Sequence, residues 1–434
     1  MRKILCSAAL ALLSLSAFSA RLDIRPAEDR IYKIGETVTF TATAFDDKNQ
    51  KLTSGSYDLR VTESGGRIAV KPFKVNVAEN NPCTFTVKLD KPGFLMVLSN
   101  KYTPEGGKAE KWKNKGDKPA FGGAAVEPGK IVPGAAKPAD FDKFWQRGIE
   151  EFKKAEVIVE PADKIKITGY KVSRITVKFP DGSGFCDGFF AIPLKKGKYP
   201  IVAGVPGAGP GSLGPMPPFR PSQPAIMLIM NVHPFRTADT VAEQKALYAK
   251  YQKSFKNGQS YPRATAFDRE KYVFRNAWLA ASRAIDYLAG LPEYDGKNCA
   301  SVGSSQGGGT AFALGYLNKN VTCTVANVPA LCDHGGWKLG RMSGWPCLHE
   351  SLKGKADKVS PYFDGAHFAS GIKHPTLVSA GFVDMVCVPS SVYAAYNQLQ
   401  GAKEMFHMYR QGHTVTTDFR KKATEFLDKQ LSKK

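Results

Sequence analysis

The stretch that most constrains this chain is 298–317. A short apolar run, Asn298-Cys299-Ala300-Ser301-Val302, leads into Gly303-Ser304-Ser305-Gln306-Gly307, and a segment of helical character follows from Gln306 to Leu317. A strand that becomes a helix within one residue must hold that residue in strained backbone. Small residues on either side let the two elements approach. A serine at such a turn projects out of both. The amide of the next residue then faces an oxygen that gains charge during acyl transfer. Ser305 is therefore the candidate nucleophile and the Gln306 N–H a candidate oxyanion donor. A Gly-rich turn of purely structural use would ask nothing more of the chain. The catalytic reading asks for a base and an orienting acid further on.

The flanking sequence sets the fold class. From about residue 139 the texture alternates. Residues 139–154 place Phe141, Phe144, Trp145, Ile149 and Phe152 at helical spacing. Strands are expected over 165–172, 174–179, 188–192, 199–205, 226–232, 299–303, 323–328, 376–381 and 404–409. Helices are expected over 269–289, 306–317, 389–399 and 416–431. Such alternation predicts an α/β domain with a doubly wound, mostly parallel sheet over 139–434. Residues 21–120 read differently. Val38, Phe40 and Ala42 alternate with polar residues, as do the runs 57–61 and 84–89, with turns at Ser64-Gly65-Gly66 and Asp90-Lys91-Pro92-Gly93. This predicts a small all-β, immunoglobulin-like sandwich. Residues 121–138 read as a linker. A length of 434 residues suits two domains.

Residues 1–20 have the pattern of a signal peptide. Arg2 and Lys3 precede an apolar run from Ile4 to Phe18, and Ala17, Ser19 and Ala20 offer a cleavage site. Ser14 and Ser16 break the run, which is shorter than the ~20 residues a spanning helix needs. The expected location is secreted or periplasmic, with no membrane span. Of eight cysteines, Cys6 would leave with the leader. The other seven show no CxxC pair and no metal-like spacing, so neither metal nor cofactor is expected. The formal charge is +22. The cations are spread along the chain, which reads as a solvated surface and not a nucleic-acid site.

In open sheets of this type, ligand sites lie beyond the carboxyl ends of the strands. With the order Ser, then acid, then His, only His407 and His413 come late enough. His407 lies within an expected strand. His413 follows one, after Arg410-Gln411-Gly412, and is the candidate base. Asp384, after the run 377–383, is the candidate acid, better placed than Asp333, Asp357 or Asp364. The loop Val205-Pro206-Gly207-Ala208-Gly209-Pro210-Gly211 lacks the Lys-Ser/Thr of a phosphate loop. It sits where a second oxyanion donor belongs, and Ala208 N–H is the candidate.

From Ala139 onward the chain resembles the acetyl xylan esterase / cephalosporin-C deacetylase family of α/β hydrolases. The resemblance is carried by ADFDKFW, YPIVAGVPGAG, AWLAASRAIDYLAGLPEYDGKNCASVGSSQGGG, ANVPALCD, and GFVDMVCVPSS with a late Gly-His. It implies an acyl-enzyme mechanism that removes acetyl groups from sugar hydroxyls. It places a triad on Ser305, Asp384 and His413 and oxyanion donors on Gln306 and Ala208. Two positions depart from the family. Pro206-Gly207-Ala208 stands for His-Gly-Tyr, and His233-Pro234-Phe235 for Arg-Gly-Gln.

The expectation is a secreted serine esterase acting on acetylated oligo- or polysaccharides, with oligomer formation open. The alternatives are another α/β hydrolase, such as a peptidase or a longer-acyl esterase, and a glycan-binding protein with an inactive esterase domain. Trp337 and Trp345, in the insertion 330–372, are candidate sugar-stacking rings.

Overall fold

The computed structural model describes residues 20–114, 119–256 and 259–432. Of the expected leader, only Ala20 falls among them. The N-terminal part is a two-sheet β unit. Arg21–Pro26, Thr37–Phe45 and Cys83–Lys88 form an antiparallel sheet. The second sheet runs Ile31–Tyr32, Ala120–Val126, Gly93–Ser99, Ser56–Glu63, Lys101–Thr103, Glu110–Lys111, with Ile68–Asn76 also paired to Ser56–Glu63. Period-two alternation turns Val38, Phe40, Ala42 and Ala44 inward. They share one core with Leu59, Val61, Leu95 and Val97.

The expected linker begins inside a strand. Ala120–Val126 pairs with Gly93–Ser99 along its length. Its Gly-Gly-Ala-Ala stretch has low strand propensity, which hid it; its small side chains suit a buried, closely packed strand. The remainder, 127–138, is a strap tied to the larger domain. Asn397 Nδ2 donates to Pro128 O and Ile131 O at 3.0 and 2.8 Å, and Gly134 N donates to Asp333 Oδ1 at 2.7 Å.

The larger domain is built on a nine-stranded sheet among the described residues. Its order is Val157–Pro161, Tyr170–Lys178, Phe185–Pro193, Ile226–Met230, Tyr199–Gly204, Tyr294–Ser304, Cys323–Asn327, Thr376–Gly381, Lys403–Met408. The first three pairings are antiparallel, and from Ile226–Met230 onward all are parallel. The order reverses at Tyr199–Gly204, so crossovers place helices on both faces. Ile201 and Ala203 point into a core with helices Phe141–Lys153, Val273–Ala289 and Gln306–Leu317. Val202, between them, points into a second core with Phe419, Ala423 and Leu427 of helix Thr417–Leu431. This is the mostly parallel, doubly wound sheet expected, preceded by a small all-β unit.

One pair of strands was expected wrongly. The runs 165–172 and 174–179 are not two strands; Tyr170–Lys178 is one, and Val157–Pro161 is its outer partner. Ser173, Arg174 and Thr176 interrupt the apolar pattern without interrupting the strand. Arg174 Nη1 and Thr176 Oγ1 both donate to buried Asp187 on the neighbouring strand, at 2.6 and 2.9 Å. Val157–Pro161 alternates poorly because it is a largely exposed edge strand.

Candidate active site

The strand Tyr294–Ser304 and the helix Gln306–Leu317 leave Ser305 alone to make the turn, at φ 58° and ψ −122°. A non-glycine residue there stores roughly 1–3 kcal/mol of strain and needs outside support. Ser305 N donates to Asn327 O at 3.0 Å, and Ser305 O accepts from Gly309 N and Ala330 N at 3.0 and 2.9 Å. The glycines of the motif are required sterically. A Cβ on Gly303 would lie 2.1 Å from Gly307 O, and one on Gly307 would lie 2.1 Å from Val205 O. Gln306 is the first residue of its helix, so its amide has no intrahelical acceptor.

His413 Nε2 lies 2.9 Å from Ser305 Oγ, and His413 Nδ1 lies 2.8 Å from Asp384 Oδ2. A carboxylate accepts, so Nδ1 carries the proton and Nε2 is free to take one from the serine. Asp384 is fully buried, and its other oxygen accepts from Val386 N and Cys387 N at 2.7 and 3.0 Å. The His413 side chain keeps 27% exposure, open to substrate and water. The loops bearing acid and base are laced together, Val383 N donating to Gln411 O at 3.3 Å. Residue 384 follows the strand Thr376–Gly381, and residue 413 follows Lys403–Met408. Three parallel strands thus bring three side chains together at their carboxyl ends.

The loop 206–211 overhangs Ser305. A Cβ on Gly207 would lie 4.0 Å from Ser305 Cβ, and Ala208 is exposed beside it. Beneath the serine, the buried Cys387 thiol lies within its hydrogen-bonding reach, and burial pushes that thiol well above its ordinary pKa. It therefore stays protonated and does not compete as a nucleophile.

The other acid and histidine candidates are engaged elsewhere. Asp333 pairs with Arg341 Nη2 at 2.7 Å, Asp357 with His349, and Asp364 accepts from the amides of Asp333, His334 and Ala366. His407 bonds the Tyr393 hydroxyl at 2.7 Å. Trp337 is half-buried, with one face stacked on His349 at 3.7 Å. Trp345, also half-buried, packs on the main core, and its carbonyl accepts from Leu331 N at 2.7 Å.

Sequence reasoning missed three supports. Asn327 Nδ2 donates to Ser304 Oγ and Thr414 O, and its Oδ1 accepts from Ser379 Oγ at 2.6 Å. It thereby joins the elbow to the histidine loop. Tyr261 and His233 stand behind Gln306 and the overhanging loop. Asn327 and His233 fall in stretches compared with the family and Tyr261 in none, but each acts through partners distant in sequence. Among the described residues no group of three His, Cys, Asp or Glu side chains could hold a metal, and no helix is long and apolar enough to cross a membrane.

The family model described as acetyl xylan esterase (AXE1) matches residues 130–430. The curated "Acetyl esterase Axe7A" of Xylanibacter ruminicola is 29% identical over 416 residues, covering 93% of this chain and 89% of that protein. Two solved structures share the fold, both at a TM-score of 0.56. The acetyl xylan esterase from Paenibacillus sp. R4 is 21% identical and covers 70% of this chain and 99% of its own. Acetyl xylan esterase 1 from Thermoanaerobacterium sp. JW/SL YS485 is 19% identical and covers 70% and 98%. The large domain has the α/β-hydrolase fold.

Proposed function

Because this chain belongs to the acetyl xylan esterase family, we propose that it is a secreted serine esterase that removes acetyl groups from carbohydrate hydroxyls through an acyl-enzyme intermediate. The observation that carries the mechanism is the continuous relay from Asp384 Oδ2 through His413 to Ser305 Oγ, at 2.8 and 2.9 Å. Ser305 Oγ attacks the ester carbonyl carbon as its proton passes to His413 Nε2. The oxyanion is met by the amides of Gln306 and Ala208. Collapse breaks the bond to the sugar oxygen, which leaves with the proton from His413. Water, deprotonated by His413, then attacks the acyl-serine and releases acetate. Asp384 orients the imidazole and balances its positive charge.

The acetyl preference is supported by the names of the relatives. Export is supported by the sequence pattern of residues 1–20. Trp337 and Trp345 are the rings proposed to meet the sugar. The experiment is a series of p-nitrophenyl esters of rising acyl length, with release of acetate from acetylated xylan measured beside it. Acetyl should be best, kcat/KM falling roughly tenfold or more by butyryl, since each methylene a pocket accommodates or rejects is worth about 1–3 kcal/mol. A kcat/KM that climbs from acetyl through hexanoyl rejects deacetylation. Efficient cleavage of a peptide p-nitroanilide makes the protein a peptidase.

A further inference from the structure

The overhanging loop is held from behind at four points. Gln306 Nε2 donates to Pro206 O at 3.3 Å, His233 bonds Gly209 O at 2.7 Å, Gln244 Nε2 donates to Pro210 O at 2.5 Å, and Ser212 N donates to Asn231 Oδ1 at 2.7 Å. Of these, the His233 bond is the one next to Ala208. A backbone carbonyl only accepts, so His233 Nε2 carries the proton and Nδ1 is a bare acceptor. That Nδ1 is buried and has no hydrogen-bond partner among the described residues. An unpaired buried acceptor is destabilising, so packing alone does not favour a histidine here.

The surroundings are aromatic. Phe235 stacks on the imidazole at 5.2 Å, and Tyr248, Tyr251 and Tyr261 surround it at 5.2, 5.6 and 4.9 Å between ring centres. Tyr261 also donates its hydroxyl to Gln306 Oε1. One side-chain assembly therefore reaches both Gln306 and the residue next to Ala208, the two proposed oxyanion donors. It reaches Gln306 through Tyr261, and the loop of Ala208 through His233.

We propose that His233 is a positioning residue for the ester hydrolysis: its Nε2–H, donated to the Gly209 carbonyl, fixes the Ala208 amide over Ser305. The proposal rests on the serine mechanism above. It explains why a neutral imidazole occupies an aromatic cage that phenylalanine would fill without an unpaired atom. Burial depresses the His233 pKa to about 4, so the neutral form with its bare Nδ1 persists at neutral pH.

The test uses the full chain without its leader and three variants: His233→Phe, His233→Gln and Ser305→Ala. Phenylalanine fills the cage but cannot donate. Glutamine places an N–H where Nε2 stands. His233→Phe should lower kcat for p-nitrophenyl acetate by about 10- to 100-fold, less than the ~10²–10³ lost when an oxyanion donor is removed outright. KM should stay within about twofold, and Tm within about 3 °C. Inhibition by phenylboronic acid, which forms a tetrahedral adduct on the serine, should weaken by a similar factor. His233→Gln should restore most of kcat. Wild-type kcat in His233→Phe overturns the proposal. So does an equal loss in both variants accompanied by a fall in Tm, which marks a packing role. Retained activity in Ser305→Ala overturns the underlying mechanism instead, whatever His233→Phe shows.

Discussion

At the scale of single residues, Ser305 owes its position to hydrogen bonds from residues far along the chain. Ser305, Asp384 and His413 were legible because each closes or follows a recognisable apolar strand, and the α/β-hydrolase order fixes which comes first. Asn327, Tyr261 and His233 were not legible, because nothing local distinguishes a bracing side chain from an ordinary polar one. Two buried histidines give a pH prediction. Burial lowers both His233 and His374 from an ordinary 6.5 to about 4. Unfolded, each takes up a proton near 6.5; folded, not until about 4. Unfolding therefore binds protons in that window. Their contribution to stability is complete above about 6.5 and is lost as pH falls toward 4. Tm should decline across that range, and His233→Phe should flatten the decline. Thermal melts at half-unit pH steps check this; identical slopes for wild type and variant contradict it.

At the scale of elements, legibility followed amphipathic pattern. The helix Gln306–Leu317 was expected at its observed bounds, and Thr417–Leu431 within one residue. Helix Val241–Lys253 was missed, since only Gln244 of it is buried and no apolar stripe marks it. Its signal was the cap: Thr240 Oγ1 accepts from Glu243 N at 3.2 Å and donates to Glu243 Oε2 at 2.8 Å. Thr240→Ala should cost about 1 kcal/mol, a few degrees in Tm. Although this helix also supplies Gln244, Tyr248 and Tyr251, fraying of its first turn should leave kcat within about twofold while the packed cage holds. A differential scan and a kcat measurement decide it; a tenfold loss of kcat would show the cap controls the loop.

At the scale of the whole molecule, the β unit is joined to the catalytic domain by more than a strap. Phe94, Met96 and Ala125 belong to the main core of the hydrolase. Phe94 stands edge-on to Phe382 at 5.1 Å, and Arg410 pairs with Asp29 at 2.8 Å. A Cβ on Gly123 would lie 2.4 Å from Phe382 O. Phe382 is two residues before Asp384, so the β unit leans on the backbone that presents the acid. The sequence showed two textures but not this shared core, because the contacts join segments more than 250 residues apart. Gly123→Val should displace that backbone and lower kcat by about tenfold or more with KM little changed, as misplacements below 1 Å do. A folded Gly123→Val protein with wild-type kcat would show that the β unit does not position Asp384.

The most direct measurement of the central claim is kcat for p-nitrophenyl acetate in purified Ser305→Ala beside wild type, at matched Tm. It should fall on the order of 10⁴ or more with the fold intact, since the side chain projects from a turn held by backbone bonds. Activity within about tenfold of wild type would contradict it.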